Sequence, residues 1–162
     1  MIRSALTLGV LPEVANASGA DECRWIEADL LAKSILELAR IGVEDDSNSG
    51  AASMVYNLVN PEPFSWNKEL LPALKAAGLE FDVVPWDTWL EKLDAEEDAT
   101  KNPTRKLLGF WRGLEDKKEK NVVEIVFETK EATATSKALK DAERVVDGEM
   151  VGSLLEAWRK VW

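Results

Sequence analysis

The sequence predicts an α/β or α+β-like chain, mostly helical with two or three short strands. Apolar residues recur at helical spacing in five separate windows. Between residues 54 and 84 an apolar run, a helical stripe and a second apolar run follow one another at the size of a crossover unit. A composition 46% hydrophobic and 31% charged over 162 residues suits one soluble globular domain, spanning 1–162.

In chain order, "MIRSALTLGVL" predicts a short uncapped helix ending at Pro12, because proline disfavours helical conformation in the residue before it. After a polar stretch, "RWIEADLLAKSILELARIG" places Ala28, Leu31, Ala32, Ile35, Leu38 and Ala39 on one helical face, with Asp29, Lys33, Glu37 and Arg40 on the other. Gly42 is placed to end this helix in a left-handed conformation, and "EDDSNSGAAS" is a surface loop by composition. Residues 54–59 suit a buried strand, and "NPEPFS" is turn chemistry. Ser65 caps a helix carrying Leu70, Ala73, Leu74 and Ala77, which Gly78 closes. "LEFDVVP" is the next strand, expected parallel to residues 54–59 in one sheet.

Further helical stripes run through Trp86, Trp89, Leu90 and Leu93, through Leu107, Phe110, Trp111 and Leu114, and through Val151, Leu154, Leu155, Trp158 and Trp162. Asn102 and Pro103 open the middle one as cap and first helical residue, and Asp147 can cap the last. "DAEEDATK" and "GLEDKKEKN" read as solvated loops, and "VVEIVFET" as a third strand or buried extended segment.

Composition excludes whole classes of chemistry. The chain has no histidine, the usual general base and orienter of serine and cysteine nucleophiles and the commonest zinc ligand. Its single cysteine, Cys23, has no partner for a disulfide or a thiolate metal site. A net charge of -10 opposes nucleic-acid binding, and no apolar window is long enough for a membrane span. A cytoplasmic location is expected. No GxGxxG or GxxxxGK[ST] occurs, and the lone tyrosine, Tyr56, is followed four residues later by Asn60 rather than lysine. Carboxylate neighbours such as Asp82 with Asp87, or Glu27 with Asp29, are expected on solvated faces and helix starts. The sequence thus assigns no catalytic, cofactor-binding or metal-binding residue. Of the seven tryptophans, Trp89, Trp111 and Trp158 fall on apolar stripes and are expected in the core. Trp25, Trp66, Trp86 and Trp162 sit at element edges or the chain end, where partial exposure is expected.

The ordered set "MIRSALTLGVLP", "RWIEADLLAKSILELA", "YNLVNPEPFSWNKELLPALKAAGLEFDVVPWDTWLEKL", "KNPTRKLLGFW" and "VVDGEMVGSLLEAWRKVW" resembles the C-terminal portion of thioester reductase domains. Such domains end fungal nonribosomal peptide synthetases and the related carboxylic acid reductases. The resemblance implies the C-terminal substrate-binding subdomain of an extended short-chain dehydrogenase/reductase fold. NADPH would be held by a Rossmann half upstream, and the substrate would arrive as a peptidyl or acyl thioester on the phosphopantetheine arm of a carrier protein, leaving as aldehyde or alcohol. No position here matches the family's catalytic set, so the chain is expected to be inactive alone and to bind no cofactor. An uncapped helical start is what a truncated piece would show. By similarity, Trp25, Asp29, Pro63, Phe64, Ser65 and Trp66 would lie nearest the substrate. A missing neighbour would leave an exposed apolar patch able to drive self-association. The alternatives are a non-catalytic module docking a carrier protein or another domain, and an independent hydrolase or cyclase, against which the missing histidine counts.

Overall fold

Gly9 decides where the first helix stops. In the computed structural model, which describes residues 1–14, 21–44, 55–118, 127–142, 146 and 148–161, helix α1 (Ser4–Leu8) ends on Gly9 at φ 67°. The expected helix to Pro12 is therefore too long. A left-handed residue turns the chain, and glycine takes that conformation without the clash a Cβ would meet. Val10–Pro12 then forms strand β1.

The chain divides into two compact units, Met1–Glu22 with Ser65–Glu124 and Val146–Trp162, and Cys23–Phe64 with Ile125–Val145. In the first unit, β1 pairs in parallel with β4 (Asp82–Val84), Val10 opposite Asp82 and Pro12 opposite Val84. The parallel pairing of "LEFDVVP" is thus real, but its partner is β1. Residues 55–59 form no strand, and residue 54 lies outside the described set. The N-terminal apolar run, fully buried as Val10, Leu11 and Pro12, outcompetes a segment whose Val55 is exposed. Two further short strands, β2 (Glu22–Cys23) and β3 (Phe64–Ser65), pair with each other.

Ser65 starts the next helical segment as expected. Its hydroxyl accepts from Lys68 N at 2.9 Å, while its own N–H donates to Glu69 Oε2 at 2.8 Å. This is a reciprocal cap with the acid one residue later than usual, accommodated by a wide π turn, Trp66–Leu70. Helix α3 (Leu71–Ala76) follows, and Gly78, at φ 83°, closes it. Helix α4 (Trp86–Ala95) packs on β1, and α8 (Gly148–Arg159) packs on α3. Asn102 caps the 3-10 turn Pro103–Leu107, its Oδ1 accepting from Thr104 N, and α5 (Leu108–Lys118) continues from it. The expected loop "GLEDKKEKN" is helical as far as Lys118, because glutamate and lysine are good helix formers that can stay solvated. Leu11, Leu74, Trp89, Leu93 and Leu155 centre this unit's core.

The second unit is built on α2 (Ala28–Glu44), against which α6 (Lys130–Thr135) and α7 (Lys137–Lys140) pack. The helix runs past Gly42, where a stop was expected; an interior glycine costs only about 0.5–1 kcal/mol relative to alanine. The buried line on α2 also differs from the expected apolar face. Ser34 and Leu38 are buried, while Ala28, Ala32, Ile35 and Ala39 are exposed. Ser34 can be buried because its hydroxyl donates to Leu30 O at 2.7 Å. Glu37 turns inward because its carboxylate caps α7, accepting from Ser136 Oγ at 2.7 Å and Ala138 N at 3.0 Å.

Much of the "EDDSNSGAAS" loop, Asp147 and most of "VVEIVFET" lie outside the described residues; residues 127–129 of the last form no strand. Among the described residues the chain is mostly helical with a few short strands, and no helix is long and apolar enough to cross a membrane.

Candidate functional site

The residues expected near a substrate fall on both units: Trp25, Asp29, Pro63 and Phe64 in the second, Ser65 and Trp66 in the first. Within the second unit, Trp25 meets Phe64 edge to face, with ring centroids 5.3 Å apart and planes at 88°. Phe64 is buried and Trp25 is 38% exposed, so a fixed ring supports one that solvent reaches. Such a pair contributes about 0.5–1.5 kcal/mol beyond its buried area and holds the indole in one orientation. Asn60 N donates to Arg24 O at 3.4 Å, and Asn60 Oδ1 accepts from Glu62 N at 2.9 Å, so the chain on both sides of the aromatic pair is tied down. Pro63 is half-buried beside Phe64 in sequence. Asp29 is exposed in the first turn of α2, where the helix dipole favours an anion.

Ser65 and Trp66 are committed to structure. The Ser65 hydroxyl donates to Asp21 Oδ2 at 2.7 Å and accepts from Lys68 N. Trp66 is 4% exposed, and its indole N–H donates to Pro12 O at 2.9 Å. That bond satisfies the one polar atom of the side chain, and the expected partial exposure does not occur. Trp86 is buried too, in a cluster with Trp89 at 5.2 Å and Trp111 at 6.3 Å between centroids. Trp89 is fully buried as expected, Trp111 and Trp158 are half-buried, and Trp162 lies outside the described residues.

Two polar residues absent from sequence reasoning organise the Ser65 turn. Asp21 accepts from Ser65 Oγ and from Asn67 N at 2.8 Å, and its carbonyl accepts from Trp66 N at 2.7 Å. Asn67 bonds both backbone groups of Val14. The only signal in the sequence was their type, since Asp and Asn side chains commonly bond nearby backbone in turns.

Two carboxylates sit below their ordinary range. Glu37 is held down first by the Ala138 N–H, then by the Ser136 hydroxyl. Asp98 is held down first by the Thr100 hydroxyl, then by the Thr100 N–H. Both order local structure, one capping α7 and the other a turn. Glu27, Asp29, Asp82 and Asp87 are all exposed, as expected for solvated carboxylates. Among the described residues no group of three or more His, Cys, Asp or Glu could hold a metal ion. Among the described residues, the arrangement in the second unit offers an apolar aromatic contact between Trp25 and Phe64.

The chain matches no protein-family model. It is 27% identical over 172 aligned positions to the carboxylic acid reductase of Neurospora crassa, an alignment that takes in 100% of this chain and 15% of that protein. The chain thus spans about 15% of the length of this curated relative. The likeness points to a region of a reductase-related protein.

Proposed function

We propose that this chain is the substrate-side part of an NADPH-dependent thioester reductase, binding a peptidyl or acyl chain brought on the phosphopantetheine arm of a carrier protein. The observation that carries this reading is the alignment of the whole chain with a small fraction of a carboxylic acid reductase. The residues present do not fit a nicotinamide cofactor: no glycine-rich phosphate loop and no tyrosine–lysine pair occurs in the sequence. Cofactor and proton transfer are assigned to the remainder of a longer protein, and no chemical step is derived from residues of this one.

The substrate's apolar part would lie against Trp25, whose ring is set by Phe64. Pro63 would stiffen the approach, and Asp29 would face the polar end of the chain. Ser65 and Trp66 would act indirectly, by fixing the turn that follows Phe64.

The test has two arms. NADPH added to the isolated 162-residue chain leaves tryptophan emission and thermal unfolding unchanged. In a full-length protein carrying this sequence, Trp25→Ala raises KM for an acyl thioester about tenfold, equivalent to about 1.4 kcal/mol of lost binding, with kcat little altered. Tight NADPH binding by the isolated chain, or aldehyde release by it, overturns the reading.

A further inference from the structure

We infer that Asp21 is a positioning residue for the Trp25–Phe64 contact: it pins the register of β2 against β3, and the setting of the Trp25 ring depends on that register. The consequence for substrate binding rests on the substrate-side reading above; the positioning does not. Strands β2 (Glu22–Cys23) and β3 (Phe64–Ser65) form a sheet of two strands only two residues long. So short a pair is marginal by itself, and a slip of one residue would turn the side chains of one strand to the opposite face. Bonds outside the ladder have to fix which residues meet.

Asp21 supplies them from the position immediately before β2. Its Oδ2 accepts from Ser65 Oγ at 2.7 Å, its Oδ1 from Asn67 N at 2.8 Å and its carbonyl from Trp66 N at 2.7 Å. One residue thus holds three consecutive residues at the end of β3, and a shift of one position would break all three bonds. The groups it holds are themselves anchored: Asn67 bonds both backbone groups of Val14, and Ser65 N donates to Glu69 Oε2. On the far side of the strands the tie from Asn60 N to Arg24 O is a single bond of 3.4 Å, longer than any of the three. The Asp21 clamp therefore sets the register. Phe64 directly precedes Ser65 with its ring buried, and Trp25, four residues after Asp21, lies with its ring 5.3 Å from that of Phe64. Slipped by one residue, Phe64 would face away, and the indole that solvent reaches would lose its support.

The experiment has a spectroscopic arm and a kinetic arm. In the first, the 162-residue chain is isotope-labelled at the indole nitrogens of its seven tryptophans, and the Trp25 signal is assigned by its loss in Trp25→Phe. Asp21→Ala should shift or broaden that signal while the signal of fully buried Trp89 stays in place, which shows that the chain is folded. Asp21→Asn should keep Trp25 near its parent position, because an amide oxygen accepts from Asn67 N while the amide NH2 donates to the Ser65 hydroxyl. Ser65→Ala, which removes one bond of the three, should move the Trp25 signal less far than Asp21→Ala. A Trp25 signal unmoved in whichever of Asp21→Ala and Ser65→Ala stay folded overturns the proposal.

In a full-length protein carrying this sequence, Asp21→Ala should raise KM for an acyl thioester about threefold to fivefold with kcat little altered. With Trp25 already alanine the same change should raise KM by less than about twofold, since the effect runs through that ring. A loss of folded protein alone would lower the active amount and leave KM where it was. Equal KM effects in the two backgrounds overturn the proposal, as does an Asp21→Ala KM equal to the parent's where Trp25→Ala raises it. Trp25→Ala without effect on KM overturns the substrate-side reading instead, and the spectroscopic arm then decides the role of Asp21.

Discussion

The side chain of Asn67 stands in for a neighbouring strand beside Val14: its Oδ1 accepts from Val14 N at 2.9 Å and its Nδ2 donates to Val14 O at 2.6 Å. Both backbone groups of Val14 are served by one amide, and Asn67's own N–H is held by Asp21. Asn67→Ala should destabilise the chain by about 1–3 kcal/mol, the cost of leaving such groups without partners. Asn67→Asp should do no better, because it sets a carboxylate oxygen against the Val14 carbonyl. Urea unfolding measures both, and an Asn67→Ala midpoint equal to the parent's would show that water replaces the amide at no cost.

Glu37 makes stability depend on acid. Its carboxyl is lowered from the ordinary 4.5 by hydrogen bonds that exist only in the folded chain. Such a group contributes stability that is full above its unfolded pKa and is lost as pH falls through the folded one. Thermal midpoints of the parent should therefore drop below about pH 4.5 more steeply than those of Glu37→Gln, and the two curves should converge at the acid end. Parallel curves through that window would remove Glu37 from the account.

Glycines at different places should respond with opposite signs. Gly9 at φ 67° and Gly78 at φ 83° have nothing within 4 Å of an added Cβ, so alanine there meets only backbone strain. Each substitution should cost about 1–2 kcal/mol. Gly152 lies inside α8 with open space around it, and alanine should stabilise it by about 0.5–1 kcal/mol. Chemical denaturation of the three variants checks the signs directly.

The tryptophan cluster has a buried end and a wet end. Trp89 is fully buried, whereas Phe110, 4.9 Å from Trp111, is 56% exposed. Trp89→Ala should cost about 3–5 kcal/mol through lost transfer energy and the cavity left behind. Phe110→Ala should cost about 1 kcal/mol, since half of its surface is already hydrated. Equal losses would mean that the exposed ring is buried in solution.

The sequence by itself determined the helices at Trp86, Asn102–Pro103 and Gly148, the Ser65 cap and the Gly78 stop. It did so because periodicity, caps and left-handed glycines act over a few residues. It also shows a chain with no histidine and with neither GxGxxG nor GxxxxGK[ST], which depends on residue types alone. Only the tertiary structure decided which apolar run pairs with β4, since Val10–Pro12 and residues 54–59 are both plausible strands and the choice rests on contacts distant in sequence. It likewise decided which side of α2 is buried. Periodicity cannot see that Glu37 has a helix to cap or that Ser34 closes its own hydrogen bond, and those two satisfied polar groups turn the helix so that Ile35 faces water. The placement of Trp66 is likewise tied to a contact distant in sequence, its indole N–H donating to the Pro12 carbonyl.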